Sequence, residues 1–256
     1  MSNLAASVAF RGVSKRFGDG PLVLADIDLA VEPGAFVSII GPSGCGKSTL
    51  LRLVSALTAT SAGELLVDEA LPARKDSQSA FIFQDATLLP WRTVKKNIEL
   101  PLRIRGVAPT ERTRLADEML RLVRLDGVAA SYPRQLSGGM KMRVSVARAL
   151  AQSPRLLLLD EPFGALDAMT RHHLNEELVE MHAERGWTAL FVTHSVAEAV
   201  FLSDRVIVMA ANPGRVHADV PILFSGKRTA ELRDAADFHR TVAEVGRLLR
   251  SVETAA

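Results

Sequence analysis

At 256 residues the chain can form one large or two small domains, and either buries a sizeable core without disulfides. Its 48% hydrophobic and 23% charged residues exclude a disordered or fibrous protein, and 31 basic against 29 acidic residues (net charge +2) argue against nucleic acid as the main partner. The single cysteine, Cys45, allows no internal disulfide, the opening MSNLAASVAFRG lacks the charged-then-apolar order of a secretory signal, and no apolar run approaches the roughly 18–20 residues that cross a bilayer, so the expected setting is a reducing cytoplasm.

From the N-terminus, SVAFRGVSKRF and PLVLADIDLAV read as strands, Glu32-Pro33-Gly34 as a turn, and AFVSII as a strand running into glycine, a small β-rich entry. A helix is predicted after Lys47, then strands at AFIF (80–83), RLLLL (155–159) and TALFVT (188–193). Short apolar runs without polar alternation suit a parallel sheet covered on both faces, and strands alternating with helices give an α/β fold. Between them, residues 93–135 turn charged and helical, with Leu115, Met119, Leu122 and Val123 spaced as one apolar face, so a helical subdomain is expected as an insertion at about 93–150. Beyond Pro213-Gly214 come a strand, VHADVPILF, and a helix-like stretch, TAELRDAADFHRTVAEVGRLLR. The expected division is a main domain of residues 1–225 and a helical tail, 226–256, packed on it.

Gly41-Pro42-Ser43-Gly44-Cys45-Gly46-Lys47-Ser48 matches a phosphate-binding loop between an apolar strand and a helix. Glycines let the backbone wrap phosphate oxygens with its N–H groups, and the helix start adds partial positive charge. Lys47 is expected to reach the outer phosphates and Ser48 to ligate Mg²⁺, with Thr49 completing the nucleotide-binding set; Cys45 reads as a small loop residue rather than a redox group. Arg155–Leu159 then runs into Asp160-Glu161, placing two carboxylates at the sheet's C-terminal edge, where open α/β sheets bind ligands. Because neighbouring strand residues point oppositely, Asp160 is assigned to the hydrated Mg²⁺ and Glu161 to the attacking water as general base.

At Leu136-Ser137-Gly138-Gly139-Met140, followed by KMRVSVARAL, the chain resembles the ABC (ATP-binding-cassette) family, whose signature is LSGGQ. The resemblance runs from about residue 7 to 222. It implies a P-loop NTPase core with an antiparallel β subdomain and an inserted α-helical subdomain, and hydrolysis of ATP with Mg²⁺. In that family Ser137, Gly138 and Gly139 would face the γ-phosphate held by a second ATPase subunit, so that ATP joins a homodimer. Gln84 corresponds to a glutamine that contacts Mg²⁺ and senses a permease, and His194 to a switch histidine that contacts the γ-phosphate and orients water. Phe17 stands where an aromatic ring, more commonly tyrosine, stacks on adenine, and Gly164-Ala165-Leu166-Asp167 resembles the loop that follows the dimer interface.

DATLLPWRTVKKNIELPLRIRG, the Met of LSGGM and AVFLSDRVIVMAANPGRV look like the nitrate, sulfonate and taurine importer branch, although cassettes serving pyrimidine precursors of thiamine share these strings. Met142 replaces a usual glutamine and Ser195 a frequent aspartate; neither change removes a phosphate, metal or water ligand. His182, His217 and His239 read as surface or packing residues, with no metal-site spacing. The resemblance implies two transmembrane permease subunits, a solute-binding protein reached through them, no nucleic acid partner, and a peripheral position on the cytoplasmic face of the inner membrane. Asp85–Arg92 is the candidate permease contact, with Trp91 either part of it or a core anchor. Two other readings are weighed. An ABC-type ATPase acting on DNA or the ribosome would carry a long coiled-coil insertion or two cassettes, and a non-hydrolysing regulatory module would lack the base or the switch residue.

Overall fold

The computed structural model describes residues 5–72, 79–164, 166–224 and 228–253, and its strands form two sheets. Strands β1 (Val8–Arg16) and β2 (Leu22–Val31) pair antiparallel, and β3 (Phe36–Ile40) leads through the glycine loop into helix α1 (Lys47–Val54). Strand β4 (Ala62–Val67) returns to β1, with Phe10 opposite Leu65, and completes a three-stranded antiparallel sheet in the order β2-β1-β4. The sequence reading did not include β4: its exposed first half, with Gly63 and Glu64, carries turn-like residues, and pairing with β1 overrides them.

After β5 (Ser79–Ile82) come helices α2 (Val94–Ile104), α3 (Pro109–Leu122) and α4 (Gly138–Leu150). The Thr93 side chain caps α2 by accepting from the Lys96 N–H, and Pro109 opens α3, where its missing N–H costs nothing. The inner face of α3 is Ala116, Met119 and Leu120 with Val123, one residue round from the predicted stripe; Leu115 and Leu122 flank it, half-buried.

Then follow β6 (Leu156–Asp160), α5 (Ala168–Arg185), β7 (Thr188–Val192), α6 (Val196–Leu202), β8 (Arg205–Ala210) and β9 (Arg215–Pro221). The main sheet has the order β5-β6-β7-β3-β8-β9, parallel except for β9 at one edge. β8, not predicted from the sequence, lies between β3 and the edge strand β9. The predicted tail helix is two pieces: a 3-10 segment, Ala230–Asp234, and α7 (Ala236–Glu253), which seats Phe238, Val245 and Val252 in the core.

Strand pleating splits the interior into two layers. Phe36, Ile40, Leu157 and Leu159 face the side covered by α2–α7, while Val37, Ile39, Leu156 and Leu158 face α1 and the small sheet. Each of these leucines contributes about 2 kcal/mol on burial, so the sheet is firmly held and its C-terminal edge is a rigid platform. The glycine loop, Gln84, Glu161 and His194 all follow strands at that edge. Among the described residues no helix is long and apolar enough to cross a membrane.

Candidate nucleotide and phosphate site

The loop between β3 and α1 has a shape that only glycine allows at its end. Gly46 has φ 95°, and a Cβ there would lie 2.5 Å from Leu24 Cδ2. The first intrahelical bond is Leu50 N–H to Gly46 O, 3.0 Å, so the N–H groups of Lys47, Ser48 and Thr49 precede it and face out of the helix start. Lys47 is buried, and its ammonium donates to the carbonyls of Gly41 (2.8 Å) and Pro42 (3.0 Å). Cys45 is fully buried, its thiol pushed up by burial against the opposing charge of Lys47; it packs beneath the loop, as a small loop residue should. A cavity of about 240 Å³ is lined by Ser43, Gly44, Gly46, Lys47, Ser48 and Thr49, with Val23, Glu161 and His194.

The two acids play different parts. Asp160 ends β6, and Ser48 Oγ donates to its Oδ1 at 2.8 Å, so a hydroxyl and a carboxylate stand side by side. Hard oxygen donors of this kind, one carboxylate plus a hydroxyl completed by phosphate, suit Mg²⁺, and Ser48 and Asp160 fit it without a further carboxylate. Glu161 is not part of the strand: its φ is 48°, and its N–H bonds Val192 O at 3.0 Å. Its direction is therefore set by a left-handed turn, which corrects the expectation from strand alternation. That turn puts its Oε1 2.6 Å from Nε2 of His194. The pairing of Asp160 with Val192 across β6 and β7 is what makes residues 33 apart in sequence neighbours here.

A second cavity, about 360 Å³, adjoins this pair and is lined by Gln84, Gly164, Arg171, Thr193, Ser195 and Glu198 as well as Glu161 and His194. Gln84 is thus brought to the acid and histidine. Phe17 is not brought to the phosphate cavity; it sits in the β1–β2 turn, half-exposed, with Lys15 Nζ 4.7 Å from its ring centroid. Ser137 caps α4 by accepting from the Met140 N–H (3.2 Å); Ser137 and Gly138 are exposed, and neither they nor buried Gly139 line the chain's own phosphate cavity. Asp167 caps α5 from the Thr170 N–H (3.0 Å), and Ala165, in the same loop, lies outside the described residues.

Of the two departures, Met142 is buried in the helical core, and Ser195 caps α6 by accepting from the Glu198 N–H at 3.3 Å. His182 packs edge-on against Phe36 and Trp187, His217 faces Ser251, and His239 adjoins Phe238. No cluster of metal-binding side chains occurs among the described residues.

Trp91 is 71% exposed and anchors no core. Its loop is instead gripped from two sides. Arg148, on α4, donates to Thr87 O, Thr87 Oγ1 and Ala86 O, and fully buried Asn97, on α2, bonds the backbone of Leu89, Arg92 and Thr93. Sequence reasoning missed Asn97, Arg148, Arg171 and Glu198. Only Glu198 had a local signal, standing three residues after a capping serine.

Residues 24–164 match the family described as ABC transporter. The aliphatic sulfonates import ATP-binding protein SsuB of Bacillus cereus is 44% identical over 214 residues, covering 82% of this chain and 84% of the relative. SsuB of Bacillus licheniformis is 44% identical over 219 residues, covering 84% and 85%. Among solved structures, a dimeric post-hydrolysis state of the ATP-binding cassette MJ0796 bound to ADP and Pi is similar at TM-score 0.75 and 33% identity, covering 85% of this chain and 99% of that one. CbiO1 of Clostridium perfringens, part of the transporter complex cbiONQ, gives TM-score 0.78 at 25% identity, covering 95% and 98%.

Proposed function

The chain belongs to the ABC transporter family and is the ATP-hydrolysing subunit of an importer, and from that premise we propose the roles of its residues, its partners and its solute. Lys47 and the N–H groups of residues 47–49 bind the outer phosphates of ATP. Ser48, Asp160 and Gln84 hold Mg²⁺, which when bound neutralises developing phosphate charge. Glu161 accepts the proton of the attacking water, and His194 holds the Glu161 carboxylate at its side while contacting the γ-phosphate. Ser137, Gly138 and Gly139 serve a second copy of the chain, a reading supported by the exposure of Ser137 and Gly138 away from this chain's own cavity. Phe17 meets the adenine from the rim.

Two permease subunits dock at the loop of Asp85–Arg92, with exposed Trp91 as the contact, and hold the ATPase at the inner face of the membrane; a solute-binding protein delivers the solute through them. The solute is of the sulfonate, taurine or nitrate type, a reading supported by the similarity to SsuB. The main domain is residues 1–225 with the helical insertion at about 93–150, and 226–256 is a tail.

The observation that carries the mechanism is the Glu161–His194 pair, 2.6 Å apart at the wall of the loop cavity. Glu161→Gln keeps the shape but removes the base, so phosphate release should fall about 10²- to 10⁴-fold while a fluorescent ATP analogue still binds. Wild-type hydrolysis by that variant would remove Glu161 from the role. Loss of growth of a deletion strain on sulfonates as sole sulfur source tests the solute.

A further inference from the structure

Glu198 is a carboxylic acid only 6% exposed, on α6, four residues after His194. Burial of such a group is costly unless it is hydrogen-bonded; here Oε2 is bonded, while Oε1 is buried with no hydrogen-bond partner among the described residues. The Thr193 hydroxyl donates to Glu198 Oε2 and also accepts from the Ser195 N–H at 3.1 Å; the Glu198 N–H in turn bonds Ser195 Oγ at 3.3 Å. Both residues flanking His194 are therefore closed into one ring of hydrogen bonds through Glu198.

The partner loop is held from the other side. Arg171, on α5, donates to Leu166 O at 2.8 Å and reaches Gly164 O at 3.5 Å, in the loop that follows Glu161. Arg171 and Asn175 also face the Glu198 carboxyl; its pKa is pushed up by burial, opposed by the Thr193 hydroxyl, Arg171 and Asn175. Glu198 and Arg171 line the same cavity behind Glu161 and His194. The loop that carries the histidine is thus bonded to an acid on one helix and the loop after Glu161 to an arginine on another, and the two side chains line one cavity wall.

Resting on the ATPase reading above, we propose that Glu198 is a positioning residue for hydrolysis: through Thr193, and opposite Arg171, it keeps His194 at bonding distance from Glu161. A misplacement of about 1 Å at such a pair lowers the rate about 10²-fold. Nucleotide binding is spared, because the loop of residues 43–49 lies on β3 and α1, outside this ring.

The test is steady-state phosphate release by the full chain, with thermal unfolding and fluorescent ATP binding measured alongside. Glu198→Ala should lower kcat about 10- to 100-fold with KM for ATP changed less than about twofold. Glu198→Gln, whose amide oxygen accepts the Thr193 bond, should recover most of the loss, and Thr193→Val should reproduce Glu198→Ala. The double variant should be no worse than either single one, since both break one link. Wild-type kcat in Thr193→Val overturns the proposal, even where Glu198→Ala fails to fold; so does a loss that Glu198→Gln shares in full. A wild-type protein without hydrolysis would overturn the ATPase reading itself, whereas active wild type with unaffected variants overturns only the role of Glu198.

Discussion

Asn97→Ala should loosen the loop that presents Trp91 without touching the nucleotide site. Asn97 is fully buried; its Oδ1 accepts from the Leu89 N–H at 2.7 Å, and its Nδ2 donates among Leu89 O (3.2 Å), Arg92 O (3.1 Å) and Thr93 O (3.0 Å). An amide nitrogen has two hydrogens, so the three carbonyls share two bonds and the side chain makes three in all. At about 1 kcal/mol net for each, removal costs about 3 kcal/mol, moderated where half-exposed Leu89 and Arg92 can turn to water. Urea unfolding should shift by about 2–3 kcal/mol, and the Leu89 amide should exchange its hydrogen faster, by up to about 100-fold. KM for ATP should hold, while stimulation of hydrolysis by reconstituted permease should fall. Stability within about 0.5 kcal/mol of wild type, with Leu89 exchange unchanged, would refute the claim that Asn97 is the knot of this loop.

His182, packed against Phe36 and Trp187, has its pKa lowered by burial from the usual histidine value. The unfolded chain therefore takes up a proton near pH 6.5 that the folded chain refuses, so this stability is present above that pH and is lost as pH falls below it. His182→Phe should flatten the fall in Tm between pH 7.5 and 5; an unchanged slope counts against His182 as its source. Gly46→Ala places a Cβ 2.5 Å from Leu24 Cδ2 at φ 95° and should weaken binding of a fluorescent ATP analogue more than about tenfold, unmodified affinity being the contrary result.

Much of the sheet was legible because its strands are short and predominantly apolar on both faces. FVSII, LLLLD and TALFV are almost wholly buried, as unbroken apolar runs imply. β4 was not legible, since Gly63 and Glu64 speak for a turn and only the neighbouring strand makes them a ladder. The break at Ala235 in the tail was hidden for a related reason: 3-10 and α-helix present nearly the same apolar spacing over one turn, and only packing separates them.

The site divides along the same physical line, between what is contiguous and what is assembled. The glycine loop is one stretch of chain whose chemistry depends on its own backbone, and Ser43, Gly44 and Gly46 to Thr49 line one cavity, while Gly41, Pro42 and Cys45 do not line it. Glu161 and His194 were both named from the sequence, but their contact was not, because it follows from β6 lying beside β7 and from a left-handed turn that no pleat predicts. Their supports were out of reach altogether. Asn97, Arg148, Arg171 and Glu198 are single polar residues on helices, which in a sequence read as solvent-facing. Each instead bonds or faces a loop from another element. Each is buried or half-buried because loops at the sheet's C-terminal edge carry backbone groups that no ladder satisfies. A parallel sheet that gathers reactive loops at one edge therefore also creates the demand for these polar clamps. The shape of the site then depends on residues whose only signature is a buried partner.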